Sequence, residues 1–182
     1  MADDDVVYRV DDRDVIVFVN DAWDRFAQAN GGEGVISSRI LQRSLWDFIA
    51  DATTQEIYRQ ILQRARSGHA IHFTFRCDAP QYRRLLRMDV HRGEDDTVEF
   101  RTHTLAEEPR PPIFLESAHP GYDGELLRVC GWCKKVFVEG SWEEIEVAIE
   151  RLQIFEHPRP PLMSHGICDA CYQSMLEVLA ES

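Results

Sequence analysis

Two Cys-x-x-Cys pairs carry the chemistry this chain could do: Cys130-Gly131-Trp132-Cys133 and, 34 residues further on, Cys168-Asp169-Ala170-Cys171. A Cys-x-x-Cys turn brings two thiolates within reach of one tetrahedral ion, and two such turns close an all-sulfur shell around it. Thiolates form most readily beside positive charge or at a helix N-terminus. Lys134 and Lys135, the only lysines in the chain, follow the first pair directly. The second pair opens a segment with Tyr172, Met175, Leu176 and Leu179 at helical spacing, so its sulfurs fall where backbone N–H groups are unpaired.

Four sulfur ligands with no open position point to structural zinc rather than to a metal that activates water. Rubredoxin-type iron is the competing metal, but its knuckles usually carry glycine after the second cysteine, where Lys134 and Tyr172 stand. The same two residues exclude c-type haem attachment, which needs histidine there. Cys130 and Cys133 could also act as a thioredoxin-like redox pair, although that leaves the second pair unexplained, and unrelated cysteines are a further alternative. His165 could replace one ligand; Ser164-His165-Gly166 reads more simply as shaping the approach to Cys168. A knuckle, a hairpin over Lys135 to Trp142 turning at Glu139-Gly140, and a ligand-bearing helix resemble a treble-clef zinc domain. The departure is an inserted helix from Ser141 to Phe155, with a Ser141/Glu144 capping box and an Ile145, Ala148, Ile149, Leu152 stripe.

The rest of the composition narrows the function. The chain has 182 residues and a formal charge of −12, with 44% hydrophobic and 29% charged residues, the profile of a folded globular protein. Basic residues number 14 against 20 acidic ones up to Glu108, and 6 against 12 beyond it. Neither part has the basic excess that nucleic-acid binding needs. No apolar run is long enough to span a bilayer. Met1-Ala2-Asp3-Asp4-Asp5 is not the basic and apolar start of a signal peptide. Five cysteines without an export signal fit a reducing compartment, so a cytoplasmic location is expected. There is no phosphate-binding glycine loop, nucleophile elbow or kinase core, so no enzyme is expected.

The elements that position the cysteines come in two units. Residues 1–106 read as strand, strand, helix, helix and three strands; residues 107–125, with four prolines, read as a linker in which Ile113, Phe114 and Leu115 dock on a folded surface; residues 126–182 carry the cysteines. Val6–Val10 and Val15–Val19 are β-branched runs around the polar turn Asp11 to Asp14. Asn20 caps a helix that stops at Asn30-Gly31-Gly32. A longer helix opens at Thr53, with Glu56 completing a capping box and Ile57, Ile61, Leu62 and Ala65 as its buried stripe. Ile71, Phe73 and Phe75, then Leu86, Met88 and Val90, then Val98 and Phe100 alternate with polar residues. This predicts an antiparallel sheet, wet on one face and covered by helices on the other: an α+β fold.

With Val17-Phe18-Val19-Asn20-Asp21-Ala22-Trp23 and Ser44-Leu45-Trp46-Asp47-Phe48-Ile49, that order resembles a PAS domain over about residues 5 to 105. The departure is Ser38 to Arg43, which lacks the glycine PAS sequences usually carry there. The resemblance implies a five-stranded antiparallel sheet with helices on one face, and a pocket that in many relatives holds a cofactor. The cysteine of flavin photosensors and the long-helix histidine of haem sensors are both missing, so that pocket is expected to be filled by Trp23, Phe26, Phe48 and Phe75 or to hold an unidentified small ligand. His72 and His91 belong to the wet face and Cys77 to the buried phase, as an inert thiol. Arg76, Arg87 and Arg101, with Asp89 and Glu99, could dock a partner or the C-terminal part. The segment from Val129 to Cys171, with "C-x-x-C-K" and "S-H-G-I-C-x-x-C", resembles a tail found on some bacterial response regulators and PAS-containing sensors. Together they imply a bacterial signalling module acting through a protein partner or self-association; the alternative is a thiol redox sensor.

Overall fold

The computed structural model describes residues 5–113, 126–156 and 161–182. Strands β1 (Val6–Val10), β2 (Ile16–Val19), β3 (Ile71–Arg76), β4 (Tyr82–Arg92) and β5 (Val98–Pro109) form one antiparallel sheet in the order β2-β1-β5-β4-β3. This is the five-stranded sheet expected from the alternation. It is longer at one end, because β5 continues to Pro109 opposite Tyr82 and so enters the segment read as linker. Ile113 packs on the C-terminal core; Phe114 and Leu115 lie outside the described residues.

Helices α1 (Asp21–Ala29), α2 (Ser37–Ile40) and α3 (Ala52–Arg66) belong with the apolar face. Asn20 explains the motif that opens α1: its Oδ1 accepts from Trp23 N and from Val7 N, both at 3.1 Å, so one side chain caps the helix and ties it to β1. The cap of α3 differs from expectation. Asp51, not Thr53, is the N-cap, its Oδ2 accepting from Thr54 N at 2.7 Å and Thr54 Oγ1 at 2.8 Å. A carboxylate beside the positive helix end is the stronger cap. The buried stripe Ile57, Ile61, Leu62 and Ala65 is the one predicted. In the stretch without the expected glycine, Gln42 takes the left-handed conformation itself, at φ 67°.

On the wet face, His72 and His91 are exposed as expected, and carboxylates are shared among cations. Asp89 contacts His72 Nδ1 at 2.6 Å, Arg87 Nε at 2.7 Å and His103 Nε2 at 2.8 Å; Glu99 contacts Arg9 Nε at 2.7 Å and Arg101 at 3.0 Å. Burial acts to raise both carboxyls, but these hydrogen bonds outweigh it and hold both below their ordinary values. Their stabilisation is therefore complete above the unfolded carboxylate values and is lost as pH falls through the lower folded ones.

The C-terminal unit adds β6 (Leu126–Cys130), β7 (Val136–Val138), β8 (Ser141–Glu143), α4 (Ile145–Leu152), β9 (Leu162–Gly166) and α5 (Asp169–Glu181). The predicted hairpin is β7–β8, with Glu139 and Gly140 both at positive φ (48° and 94°) as its tight turn requires. Ser141 is not a helix cap. It lies in β8, and α4 starts after Glu144 without a side-chain cap. The parallel pair β6–β9 completes a second sheet, ordered β8-β7-β6-β9.

The unit does not hang from the first one. Cys130, Trp132, Cys168, Met175 and Leu179 belong to the same apolar cluster as Ile57, Ile61, Phe73 and Phe100. Arg76 N donates to Trp132 O at 2.6 Å, bringing the cysteine knuckle to the outer edge of β3; an open strand edge is a pairing hazard, and this one is covered. Beside it lies a knot of charge. Asp78 pairs with Arg76 and with Arg110 (3.2 Å); Arg76 reaches Glu144 of the C-terminal unit at 2.8 Å; Arg83 reaches Glu146 at 2.6 Å. Arg76 is thus the one residue of the expected Arg76, Arg87, Arg101 docking set that meets the C-terminal part in these ion pairs.

Removing the centre of that knot leaves two half-buried guanidinium groups without it, so Asp78→Ala is expected to cost about 3–5 kcal/mol in urea unfolding; a loss below about 1 kcal/mol would mean that the pairs are solvent-screened. Between about pH 5 and pH 2 the wild-type stability is expected to fall more steeply than that of an Asp89→Asn, Glu99→Gln double variant; parallel curves would show that these carboxylates are not linked to folding.

Candidate metal centre and ligand cavity

The knuckle is made by backbone. Lys134 N donates to Cys130 O at 3.0 Å and Cys130 N to Lys135 O at 2.8 Å, closing the turn that aims both sulfurs the same way. Such closure needs a left-handed residue after the second cysteine, and Lys134 supplies it at φ 61°. Its ammonium does not point at sulfur as a counter-charge would; Nζ donates to Gly131 O at 2.9 Å and clamps the loop. Gly131 N in turn donates to Gly166 O at 2.7 Å, joining the knuckle to β9 just ahead of the second pair.

The second pair sits at the start of α5, as its spacing predicts. Cys168 is the N-cap, its Sγ accepting from Cys171 N at 3.4 Å, while Cys168 N donates to Cys130 Sγ at 3.4 Å. The four sulfurs of Cys130, Cys133, Cys168 and Cys171 lie within 4.8 Å of one another, and Cys133 Sγ is 3.8 Å from Cys168 Sγ. A tetrahedron with metal–sulfur arms of about 2.3 Å has edges of about 3.8 Å, so the donor set fits one four-coordinate ion. Two ligands are buried and two half-buried.

Without a cation the cluster cannot ionise evenly. Cys130 accepts from the Cys133 and Cys171 thiols and is held as thiolate, well below its ordinary value. Its proximity pushes Cys133 up to about 11 and Cys171 upward as well. A divalent ion removes that conflict by replacing the shared protons. His165 stands on β9 outside the cluster, and burial, helped by the Lys134 charge, lowers its imidazole.

Trp132, between the two knuckle cysteines, is the plug that seats the centre on the first unit: its ring lies 6.2 Å from Tyr58, edge-on, and 6.2 Å from Phe73. Its spacing in Cys-Gly-Trp-Cys marks it as part of the knuckle, but nothing in the sequence says which surface it enters.

A second feature lies between α1 and the sheet. Trp23, Phe26, Phe48 and Phe75 do not fill the interior of the first unit; they line a cavity of about 550 Å³, together with Tyr8, Tyr58, Met88 and Cys77. Cys77 is half-buried at its wall rather than packed in the core, and burial keeps its thiol protonated, against the pull of Lys134 and Arg84. A cleft of about 740 Å³ separates the two units, lined by Asp51 and Tyr58 on one side and by Trp132, His165 and Gly166 on the other.

No family model matches the sequence, and no curated protein does. Solved structures offer likenesses of shape. A sensory box sensor histidine kinase from Vibrio cholerae is 12% identical over 56% of this chain and 82% of that one, with a TM-score of 0.39. A domain of an HTR-like protein from Haloarcula marismortui is 12% identical over 57% of this chain and 99% of its own (0.36). A PAS domain from a two-component sensor histidine kinase is 15% identical over 57% and 86% (0.36). Likenesses of this degree transfer no ligand, partner or activity to this chain, whose fold is read from its own sheet order and register. Among the described residues no helix is long and apolar enough to cross a membrane.

Replacing a ligand should separate metal binding from folding of the first unit. Cys171→Ser is expected to lower metal affinity at least tenfold in a chelator competition while the far-ultraviolet spectrum keeps most of its intensity; unchanged affinity would remove Cys171 from the ligand set.

Proposed function

We propose that this chain is a non-enzymatic signalling module: a PAS-like sensor unit whose C-terminal unit is folded around structural zinc and which acts through a protein partner or a second copy of itself. The observation that carries the reading is the convergence of four cysteine sulfurs within 4.8 Å of one another, which would leave a four-coordinate ion no position for water. Such a site contributes folding energy and offers no hydrolytic chemistry. The all-sulfur donors favour zinc over harder ions, and the metal holds in place the very segment, Cys130 to Cys133, that abuts β3 and plugs Trp132 into the first unit. The cavity between α1 and the sheet supports a ligand-responsive role for the first unit. The acidic balance of both units favours a protein partner over nucleic acid, and reduced thiols fit the cytoplasm of a bacterial cell.

A second reading, a thiol redox sensor, draws on the half-buried state of Cys133 and Cys171, which leaves them reachable by oxidant. One experiment separates the two. The purified chain is expected to hold one equivalent of zinc with no visible absorption band, and to keep it at peroxide concentrations that oxidise a free surface thiol. Release of zinc in step with the loss of four thiols would instead favour the redox sensor, and a visible band would mean iron.

A further inference from the structure

We propose that the groove between β3 and α5 is a modification site, at which Cys171 Sγ adds to a neutral alkene conjugated to a carbonyl. The inference goes beyond the structural role of the metal centre and rests on the zinc reading proposed above.

The four sulfurs are not equally reachable. Cys130 and Cys168 are 0% and 3% exposed, and each sulfur accepts a backbone N–H at 3.4 Å, from Cys168 and Cys171 respectively. Cys133 and Cys171 are half-buried, and both line a groove of about 500 Å³. A hydrogen bond to sulfur stabilises the anion and so lowers its nucleophilicity. The open pair is therefore also the less quieted pair. Within it, the backbone of Lys135 acts to stabilise the Cys133 thiolate, and Cys171 is the sulfur best placed for reaction.

Charge and lining set the class of reagent. Four thiolates around a divalent ion leave a net double negative charge, which repels an anion. A cation meets Arg76 in the groove wall, where the guanidinium is held by Asp78 and, at 2.8 Å, by Glu144. His72, also in the wall, is turned to Asp89 at 2.6 Å. Phe73, Phe75, Leu85, Trp132, Met175 and Val178 supply apolar surface. A neutral, largely apolar molecule loses least on entering.

Ser174 sets the reaction. It follows Cys171 by three residues in α5, is exposed and lines the same groove. Helical residues at this spacing are about 5–6 Å apart at Cβ, and an alkene conjugated to a carbonyl fits between sulfur and hydroxyl. The Sγ–carbon bond forms as the C=C π bond breaks. The electron pair moves onto the carbonyl oxygen, to which the Ser174 hydroxyl donates, and the α-carbon then takes a proton from water. No oxidant is needed. The product is a neutral thioether in place of an anionic ligand, and the loss of that donor loosens the knuckle that seats Trp132 on the first unit.

The probes are N-ethylmaleimide, which is neutral, 3-maleimidopropionate, its anionic counterpart, and iodoacetamide, which releases iodide and forms no enolate. The full zinc-loaded chain is exposed to a substoichiometric amount of each near neutral pH, and the adducts are mapped by mass spectrometry. N-Ethylmaleimide is expected to mark Cys171 at least tenfold faster than any of the other four cysteines. 3-Maleimidopropionate is expected to be at least tenfold slower there, once each rate is divided by that with free cysteine. Zinc is expected to pass to a chelator in step with the first adduct. Ser174→Ala, at an exposed position, is expected to slow N-ethylmaleimide at least threefold and to leave iodoacetamide unchanged. The inference is overturned by adducts spread evenly over the cysteines or led by Cys77, by equal rates for the two maleimides, or by zinc that stays bound after Cys171 is marked. It is also overturned if Ser174→Ala slows both reagents equally or neither. The wild-type comparisons need no variant to fold. Evenly spread adducts on a chain that holds zinc sink this inference alone, whereas a chain without zinc sinks the metal reading and this inference with it.

Discussion

Four cysteine sulfurs within 4.8 Å of one another can all ionise only if a cation joins them, and the C-terminal unit is organised so as to bring them together. Its strands are three to five residues long and α4 has eight residues, too little regular structure to bury a large core unaided. The knuckle closes through backbone bonds around Cys130, the second pair is presented by the N-terminus of α5, and β6 and β9 lie parallel so that the two pairs arrive at the same end. An ion held there would tie these short elements together. Binding such an ion would be coupled to folding of the unit, because the site does not exist in the unfolded chain.

From the metal centre the structure runs without a break into the first unit. Trp132 lies between two ligands and against Tyr58 and Phe73, and its carbonyl takes the edge N–H of β3. Tyr58, Phe48, Ile49 and Phe75 line both the interior cavity and the cleft between the units. A change inside the cavity therefore reaches the wall on which the cysteine knuckle rests, with one layer of side chains in between. The knot around Asp78 closes the same joint on another side, since Asp78 also lines the cavity. The two units share a core, and that sharing gives a change in one a physical route to the other.

Much of this is legible in the sequence where a local rule decides it. Period-two alternation in Ile71–Arg76 and helical spacing in α3 survive because burial on one face enforces them. The Cys-x-x-Cys pairs announce their own geometry. What stays hidden is decided by tertiary context. The left-handed turns at Gln42 and Lys134 have no glycine to mark them, and the surrounding hydrogen bonds hold a side-chain-bearing residue there instead. Asp51 outcompetes Thr53 as the cap of α3 although both have capping chemistry, and Ser141 goes to a strand because Val138 pairs across it. The parallel strand β9 follows a proline-rich break and is too short for periodicity to reveal. The open cavity is hidden for the same reason: four aromatic residues can fill a space or line it, and composition does not distinguish the two.

The most direct test of the account is the environment of the bound metal itself. X-ray absorption at the zinc edge of the purified chain is expected to show four sulfur scatterers at about 2.3 Å and no nitrogen or oxygen in the first shell. A shell with fewer sulfurs and a light atom would contradict it, because the closed site would then be open and the C-terminal unit would need another source of order.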